Sequence, residues 1–519
     1  MHENRNKKTE AAICRFGMEL IMRKSGILLP IASLPSPYGI GCFSREAYDF
    51  VDRLKEAGQS CWQILPLGPT SYGDSPYQSF STFAGNPYFI DPEDLIQRGW
   101  ISRVQCAGYD FGSDETNIDY GKMYESRFLL LKSAYENSRI REDEEFWRFV
   151  RENDFWLEDY ALYMAVKDSF GGASWVLWHE DIKLRKPEAL ATYGRRLEDE
   201  VCFYKFQQYM FRLQWKKLKD YANRRGISII GDIPIYVALD SSDAWANPEL
   251  FQFDENCIPT AVAGCPPDSF SATGQLWGNP LYRWDYHKQT GYHWWMKRLE
   301  SCYLQYDMVR IDHFRGFDAY YSIPNGEPTA QKGVWEEGPG YDFFETMKKE
   351  LGEKEIIAED LGFLTPSVKE LVKRTGYPGM KVLQFAFDSR EESDYLPHNY
   401  TPNCVVYTGT HDNDTVLGWY KALNDADRKL CDEYLNLFHC KDRKDSDGLI
   451  AWEFIRAAMA SVAFLAVVPM QDYLGLGALA RINTPSTIGN NWKWRMKKGD
   501  FTKELAEKIR GMTELYGRL

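Results

Sequence analysis

The sequence predicts an α/β protein, a (β/α)8 or TIM barrel with large, mainly helical insertions between the barrel strands. Short apolar runs recur eight times, and helical patterns fill several of the gaps between them. The runs lie at residues 26–31, 61–67, 228–237, 307–314, 355–361, 380–387, 404–412 and 463–475. Near-continuous apolar runs that end in polar residues are typical of parallel strands covered on both faces. Eight such units alternating with helices are the pattern of this barrel.

The gap between the second and third runs, residues 68–227, is too long for one crossover helix. We therefore place a helical insertion subdomain at about residues 85–226. Inward-facing positions in its last helix recur at four- and three-residue steps up to Gly226, which is placed to end that helix; they are Phe211, Trp215, Leu218 and Ala222. The positions expected to be buried earlier in the insertion are Phe146, Phe149, Phe155 and Tyr163. We interpret these aromatic stripes as helix packing and not as ligand-binding boxes.

The domain organisation that we expect is a single catalytic barrel domain over residues 25–519. It includes the insertion and a cleft-covering loop region at about residues 240–300. Residues 1–24 are predicted to be a poorly ordered N-terminal extension, because barrel-like patterning begins only after them. This leader is charged and has no apolar segment followed by a small-residue cleavage site. We therefore expect a cytoplasmic protein.

Composition excludes several classes of function. The 519 residues carry a net charge of −13, which provides no electrostatic footprint for nucleic acid. No apolar run approaches the ~20 residues of a membrane span. The 11 cysteines are odd in number and include no CxxC pair, so reduced thiols are expected. Nucleotide-binding loops and metal-ligand spacings are also missing, so we predict no cofactor and no metal, with a monomer or weak homo-oligomer as the default.

Polar residues follow four of the predicted strands, where the chemistry of such a barrel is located. The third strand ends at Asp232 and the fourth at Arg310, Asp312 and His313; the fifth ends at Glu359 and Asp360, and the seventh at His411 and Asp412. Because the carboxyl ends of the strands converge, these side chains are expected to share one pocket. Taken alone, an acid at a strand end is more typical of an Asx-turn or a helix N-cap than of a catalytic site. His313 suits a structural role as well as a functional one.

Retaining glycoside chemistry requires two carboxyl groups about 5–5.5 Å apart, one as nucleophile and one as acid and base. Arg310 lies two residues before Asp312, so both point to the same face of a strand, and the guanidinium would keep Asp312 ionised. Glu359 follows the apolar residues Ile356, Ile357 and Ala358, and burial there would raise its pKa, as a general acid requires. The side chain of His411, beside Asp412, is expected to bind substrate hydroxyls.

Several long motifs resemble one family. They are ILPLGPTSYGDSPYQSFSTFAGNPYFID at 64–91, GDIPIYVALDSSDAWANPELF at 231–251 and GCPPDSFSATGQLWGNPLYRW at 264–284, followed by VRIDHFRGF, IAEDLG, GTHDN and PMQDYLGLG. From Gly26 to its C-terminus the chain resembles the 4-α-glucanotransferases, also called amylomaltases or disproportionating enzymes, of the α-amylase superfamily. The resemblance implies that Asp312 is the nucleophile, Glu359 the general acid/base and Asp412 the transition-state stabiliser. It also implies a set of substrate-binding residues: Arg310, His411, Asp232, Tyr77, Ser75, Trp277, Gln275, Asn483 and, in a patch outside the cleft, Tyr72.

The resemblance further implies the activity. A segment of an α-1,4-glucan such as a maltooligosaccharide, amylose or a glycogen-derived dextrin is transferred to the 4-hydroxyl of glucose or another glucan, as in starch, glycogen or maltodextrin metabolism. The loop at 264–280 is expected to cover the cleft and favour the acceptor sugar over water. The alternative is an amylase-type hydrolase, which would use the same acids. A glucan-binding scaffold without activity is less consistent with three intact carboxylates.

Overall fold

The computed structural model describes residues 22–71, 73–267, 271–362, 364–441 and 446–519. Its strands are, in chain order, β1 (Lys24–Leu28), β2 (Cys61–Gln63), β3 (Ser228–Pro234), β4 (Ala261–Cys265), β5 (Gln275–Pro280), β6 (Met308–Asp312), β7 (Ala319–Pro324), β8 (Val334–Glu337), β9 (Ile356–Ala358), β10 (Gly379–Val382), β11 (Cys404–Tyr407) and β12 (Leu465–Pro469). Eight of them close a parallel barrel in the order β1-β12-β11-β10-β9-β6-β3-β2. Each strand lies within or overlaps one of the eight predicted runs, so the predicted barrel is confirmed.

Helices separate the barrel strands, as a (β/α)8 fold requires. Arg45–Glu56 lies between β1 and β2, and Tyr341–Leu351 and Pro366–Thr375 precede and follow β9. Apart from those between β2 and β3, the other α-helices are Ser242–Ala246, Trp284–Gln289 and His293–Gln305 between β3 and β6, Val416–Ala422, Asp425–Leu435, Phe438–Lys441 and Ser446–Ala460 before β12, and Met470–Tyr473 and Lys503–Leu515 after it. Between β10 and β11 the chain forms two 3-10 turns, Leu383–Ala386 and Pro397–Asn399. None of the helices within the described ranges is long and apolar enough to cross a membrane.

Between β2 and β3 the chain is mainly helical after a non-helical segment whose described residues are 64–71 and 73–86. The helices are Pro92–Gln97, Arg103–Ala107, Tyr120–Ser138, Glu144–Glu152, Asp154–Ser169, Glu180–Lys183, Pro187–Arg196 and Glu198–Arg224. The last buries its predicted stripe and stops just before Gly226, whose φ of +77° suits glycine. Phe155, predicted to be buried, is 48% exposed. The buried face of its helix begins one residue later, at Trp156 and Leu157, and the Phe155 ring meets only the edge of Phe83 and the ammonium of Lys297.

A second sheet stands beside the barrel. It is antiparallel, with the strand order β5-β4-β7-β8. Residues 264–280 were expected to form a loop, but β4 and β5 pair there with Gly264 opposite Leu276 and Cys265 opposite Gln275. A Cβ at position 264 would lie 2.2 Å from the carbonyl oxygen of Gln275, so glycine permits this close pairing. The short, glycine-containing strands carry no clear alternation of apolar residues, which is why the sequence pattern did not predict them.

The barrel interior has an apolar layer directly beneath a polar layer. Side chains two residues apart on a strand share a face. Ile230, Met308 and Ile357 are buried in one apolar cluster. Two residues further along the same strands and strand ends are Asp232, Arg310 and Glu359. The polar groups at the carboxyl end of the barrel therefore lie directly above a buried apolar layer. This layer raises the free-energy cost of their charges and makes their pKa values sensitive to their partners.

Candidate active site

Arg310 lies between two carboxylates at the carboxyl end of the barrel. The β3–β6 register places Asp232 directly beside Arg310. One guanidinium nitrogen, Nη1, is 2.6 Å from Asp232 Oδ2, and the other, Nη2, is 2.8 Å from Asp312 Oδ1. Asp232 is fully buried and Arg310 nearly so, whereas the Asp312 side chain is 30% exposed. The predicted shared face of Arg310 and Asp312 is therefore present, and Arg310 also neutralises Asp232.

Asp312 has an unusual proton affinity for an aspartate. Its pKa is raised to about 6: burial is the main cause, the charges of Asp232 and Asp412 act in the same direction, and Arg310 and His411 act against them. From the sequence, Arg310 alone was expected to keep Asp312 ionised. The two acidic neighbours and the buried apolar layer beneath oppose that effect of Arg310.

Glu359 follows β9 and is oriented by the backbone. Its Oε2 accepts a hydrogen bond from the His313 amide at 2.7 Å, and its Oε1 accepts one from the Leu361 amide at 2.9 Å. His313 has a left-handed φ of +55°, which is uncommon for a residue other than glycine. Burial raises the pKa of Glu359 to about 7, and the negative charge of Asp312 adds to that effect. Burial and the charge of Asp312 therefore favour the protonated form of Glu359 and outweigh the two backbone hydrogen bonds, which act in the opposite direction.

The two neighbours of these acids have structural contacts. Asp360 turns away and accepts a hydrogen bond from the Met380 amide at 2.7 Å. The His313 ring packs edge-on against Trp277, with 4.8 Å between the ring centroids. Burial, with a smaller effect of Arg315, lowers the pKa of His313 to about 3, so its ring is neutral. His313 thus contributes its backbone amide to Glu359 and its ring to the packing of Trp277.

Asp412 is held by side chains. Asn483 Nδ2 donates to Asp412 Oδ1 at 2.6 Å, and His411 Nε2 lies 3.3 Å from Asp412 Oδ2. Burial alone would raise the pKa of Asp412, but His411 and the hydrogen bond from Asn483 lower it below its usual range. Burial likewise favours neutral His411, yet the Asp412 carboxylate raises the pKa of His411 above its ordinary value. Asp412 is therefore ionised across the physiological pH range.

Tyr77 connects this group to Arg310. Its hydroxyl donates to Asp232 Oδ2 at 2.9 Å and lies 3.5 Å from His411 Nδ1, and its ring stacks on His411 at a centroid distance of 5.1 Å. Ser75 acts on the same segment, because its Oγ accepts a hydrogen bond from the Tyr77 amide at 3.3 Å. Asp232, His411 and Tyr77 thus form one connected network, which reaches Asp312 through Arg310 and Asp412 through His411.

Strand β5 brings two further predicted residues to the site. Trp277 Nε1 donates to Gln275 Oε1 at 3.1 Å, and the Trp277 ring lies near His313 and Tyr236. Gln78 Nε2 also donates to Asn279 Oδ1 at 3.2 Å, which ties the Tyr77 segment to β5. Tyr72, the remaining predicted residue, lies outside the described residues.

Sequence reasoning missed two residues of the site. Arg481 donates to the backbone carbonyls of Asp412 and Asn483, each at 2.6 Å. The Trp492 ring lies 5.9 Å from both Tyr77 and His411, measured between centroids. Arg481 could have been noticed because it precedes Asn483 by two residues, the same spacing as Arg310 and Asp312. Trp492 gives no such signal, since only a left-handed backbone turn, with φ of +65°, brings it back to the site.

The donor set suits sugar chemistry. Within the parts of the chain that the structure describes, no group of three or more His, Cys, Asp or Glu side chains is arranged to hold a metal ion. Three carboxyl groups at strand ends, one bound to a buried guanidinium and one with a raised pKa, can supply a nucleophile and a proton donor. On a (β/α)8 barrel, this arrangement defines an enzyme class that acts on glycosidic bonds through carboxyl groups.

Comparison with known proteins identifies the family. A family model described as 4-alpha-glucanotransferase matches residues 29–502. The 4-alpha-glucanotransferase of Clostridium butyricum is 51% identical over 490 residues, which cover 94% of this chain and 99% of that protein. That of Streptococcus pneumoniae serotype 4 is 50% identical over 500 residues, covering 96% and 98%. A solved structure of the amylomaltase from Streptococcus agalactiae in complex with acarbose has a TM-score of 0.91 and 42% identity, covering 96% of this chain and 99% of that one. The chain belongs to the 4-alpha-glucanotransferase family.

Membership of the family confirms two predictions. The resemblance first seen in the motifs is correct, and the activity is that of a 4-α-glucanotransferase. The comparisons do not support the amylase-type alternative. More distant relatives share the fold, since the amylomaltase from Corynebacterium glutamicum has a TM-score of 0.74 at 19% identity. The assignment of individual residues to steps of the reaction is a separate question.

Proposed function

We propose that Asp312, Glu359 and Asp412 perform a retaining double displacement on an α-1,4-glucan. The observation that carries this assignment is the difference between the first two acids. Asp312 is bound to the Arg310 guanidinium, which opposes its protonation, whereas Glu359 accepts hydrogen bonds from two neutral backbone amides and has a raised pKa, chiefly because of burial. Arg310 therefore favours the charged form of Asp312 as nucleophile, and burial favours the protonated form of Glu359 as acid.

In the first step a carboxylate oxygen of Asp312 attacks the anomeric carbon of the donor. The bond between that carbon and the glycosidic oxygen breaks, and the proton of Glu359 moves to the leaving oxygen. The product is a glycosyl ester on Asp312 and a shortened glucan. Arg310 holds Asp312 in the direction of attack, and the two backbone amides keep the Glu359 carboxyl from rotating away.

In the second step Glu359 accepts the proton of the acceptor 4-hydroxyl as that oxygen attacks the anomeric carbon. The ester bond breaks, Asp312 regains its charge, and the configuration is retained. Water could carry out the same attack. We propose that the β4–β5 hairpin, with Gln275 and Trp277, covers the cleft and excludes water so that a sugar hydroxyl is favoured.

Asp412 has a different role because its pKa is lowered. A permanently charged carboxylate cannot donate a proton, but it can bind hydroxyls of the distorted donor ring and stabilise positive charge at the transition state. Six further residues are proposed to surround the donor sugar: Arg310, His411, Asp232, Tyr77, Ser75 and Asn483. Ser75 contacts the backbone of Tyr77, and the other five make contacts within the network described above.

The proposed substrates are α-1,4-glucans: maltooligosaccharides, amylose and glycogen-derived dextrins as donors, with glucose or another glucan as acceptor. The amylomaltase from Streptococcus agalactiae, solved in complex with acarbose, supports this class. We propose that the enzyme acts as a monomer or weak homo-oligomer in the cytoplasm, consistent with the reduced thiols predicted from its 11 scattered cysteines. We also propose one catalytic domain over residues 25–519, with a helical insertion at about 85–226 and a cleft-covering region at about 240–300. Of the predicted N-terminal extension at 1–24, residues 1–21 lie outside the described residues.

Incubation with maltotriose tests the reaction. Transfer predicts glucose together with a ladder of oligomers longer than maltotriose, resolved by chromatography. Asp312→Asn should lower this activity by about 10⁴-fold or more while the variant still binds glucan, because only the nucleophile is removed. Accumulation of shorter sugars alone would contradict transfer, and turnover by the purified asparagine variant would contradict the nucleophile assignment.

A further inference from the structure

The antiparallel sheet beside the barrel carries an apolar row that is open at both ends. Trp335, Tyr321, Gly264 and Leu276 are successive cross-strand partners on β8, β7, β4 and β5. Directly paired residues point to the same face of a sheet. Tyr321 is buried, whereas Trp335 and Leu276 are each 42% exposed. With strands ~4.8 Å apart, the two exposed ends lie about 14 Å from each other.

Trp335 is exposed but held in position. The Arg315 guanidinium lies 4.1 Å from the centroid of its indole ring, and the edge of the Tyr321 ring packs at 5.2 Å. Its strand, β8, is the outer strand of the sheet. A ring whose orientation is set by its neighbours loses little conformational freedom when a ligand stacks on it. This is the property of an aromatic platform for a flat ligand surface.

The platform is connected to the Glu359 part of the active site. Arg315 lies three residues after Asp312 and two after His313, whose amide binds Glu359. The Arg315 side chain thus links the indole of Trp335 to the segment that bears the His313 amide. Leu276, at the other end of the row, lies on β5 between Gln275 and Trp277, whose side chains point to the opposite face of that strand.

We propose that Trp335, as a stacking platform, binds the acceptor-side part of a glucan chain, several sugar rings beyond the bond that is formed. This inference rests on the proposed function. There, Glu359 protonates the leaving oxygen and later deprotonates the acceptor, so the sugars beyond the cleaved bond lie next to Glu359. Glucose alone is too short to reach the platform, whereas a longer maltooligosaccharide reaches it through successive α-1,4-linked rings.

The test compares acceptors of different length with one fixed donor. Labelled glucose, maltotriose and maltohexaose serve as acceptors, and kcat/KM is measured for each. Trp335→Ala should lower kcat/KM for maltohexaose about 3–10-fold more than for glucose, the loss expected for one aromatic contact. Trp335→Tyr should restore most of the loss, because it keeps a ring at the platform.

Two controls separate this effect from general damage. Trp147 is 36% exposed on the Glu144–Glu152 helix, so Trp147→Ala removes an equally exposed indole without a chain-length effect. Thermal melts verify that each variant is folded. Equal losses for all acceptors, or no loss with maltohexaose, would overturn the platform.

Binding measurements in the Asp312→Asn background separate this proposal from the proposed function. If Asp312→Asn is inactive but binds maltohexaose, adding Trp335→Ala should weaken that binding about 3–10-fold. Unchanged binding would remove the platform and leave the reaction scheme intact. Turnover by the Asp312→Asn variant would instead contradict the reaction scheme itself.

Discussion

Asp412 and Glu359 lie in the same active site, yet they are held by different kinds of partner. Asp412 is bound by the side chains of Asn483 and His411, which lower its pKa. Both oxygens of Glu359 accept hydrogen bonds from backbone amides, and burial raises its pKa to about 7. At Asp412 the effects of His411 and Asn483 outweigh burial, whereas at Glu359 burial and the charge of Asp312 outweigh the two amides, which by themselves lower its pKa. In the proposed mechanism Asp412 stays charged and Glu359 exchanges a proton.

Of the substitutions that test this contrast, Glu359→Gln should have the largest effect on activity, because it removes the titratable group. Glu359→Gln keeps the shape and an acceptor for a backbone amide, but it cannot exchange a proton. We expect kcat/KM to fall about 10²–10⁴-fold, the usual contribution of general acid–base catalysis. In the unaltered enzyme kcat/KM should decrease above an apparent pKa of about 7, where Glu359 loses its proton, and below about 6, where Asp312 gains one.

The adjacent acid provides the control. The Asp360 carboxyl group accepts a hydrogen bond from the Met380 amide. Asp360→Asn should therefore retain activity within a few-fold. A Glu359→Gln variant that kept the fall in kcat/KM at high pH would assign that fall to another group.

The Glu359→Gln variant should lose activity but gain stability at high pH. The folded pKa of Glu359 is raised, so its ionisation destabilises the folded state progressively as the pH rises from about 4.5 to about 7. The free energy of unfolding of Glu359→Gln should therefore exceed that of the unaltered protein by about 1–3 kcal/mol at pH ~8, and this difference should vanish at pH ~4. Denaturant unfolding measures both values. Equal stability at both pH values would show that Glu359 is not strained by its charge.

Arg310 should be the next most sensitive position, because its guanidinium binds both Asp232 and Asp312. Arg310→Gln leaves Asp232 and Asp312 buried without their shared cation, and breaking such a pair costs about 3–5 kcal/mol of folding free energy. Loss of the guanidinium also raises the pKa of Asp312 further, so the fall in kcat/KM on the acidic side should begin at a higher pH. Activity at neutral pH should drop by at least about 10²-fold.

Arg298 is the matched control for this loss of stability. It is equally buried, but it donates to the backbone carbonyls of Pro234 and Ile235 and has no carboxylate partner among these contacts. Arg298→Gln should therefore destabilise the fold with a much smaller loss of kcat measured below the melting temperature. If the two variants lost kcat equally, the effect of Arg310 would be one of folding alone.

Asn483 tests the Asp412 region with the smallest expected effect. Asn483→Ala removes the 2.6 Å hydrogen bond to Asp412 Oδ1, and charge-assisted bonds contribute about 1.5–3 kcal/mol. We expect kcat/KM with maltotriose to decrease about 10–100-fold, mainly in kcat, because Asp412 would be less well oriented toward the transition state. Asn491, in the same loop and buried to the same extent, bonds only to Thr484 and Thr487 and is the control. Equal losses in both variants would reduce Asn483 to a loop-stabilising residue.

The barrel could be predicted because its strands are covered on both faces. Burial on both faces leaves an apolar run in the sequence, and eight such runs were visible. The observed strands are shorter than those runs. β9, for example, covers only Ile356–Ala358 of residues 355–361, because the polar residues that follow leave the sheet and enter the site. The small antiparallel sheet was not predicted, since its pairing depends on contacts between β4 and β7, which are distant in sequence.

Candidate acids could also be predicted, but their environments could not. The two-residue spacing of Arg310 and Asp312 indicated a shared face, and the apolar residues before Glu359 indicated a raised pKa. That Asp232 would bind the same guanidinium depends on the register of two strands. Trp492 and the hydrogen bonds of Arg481 depend on how a loop after β12 returns over the site.

The sequence by itself determined the barrel and the family and singled out the three candidate carboxyl groups, because local patterns and long motifs carry all of this information. Only the tertiary structure decided which acid stays charged. That property depends on burial and on partners such as Asn483 and His411, which come from separate parts of the chain. The same reason explains why Trp335 could not be singled out from the sequence: an exposed aromatic residue gains meaning only when its neighbours, here Arg315 and the Glu359 region, are known.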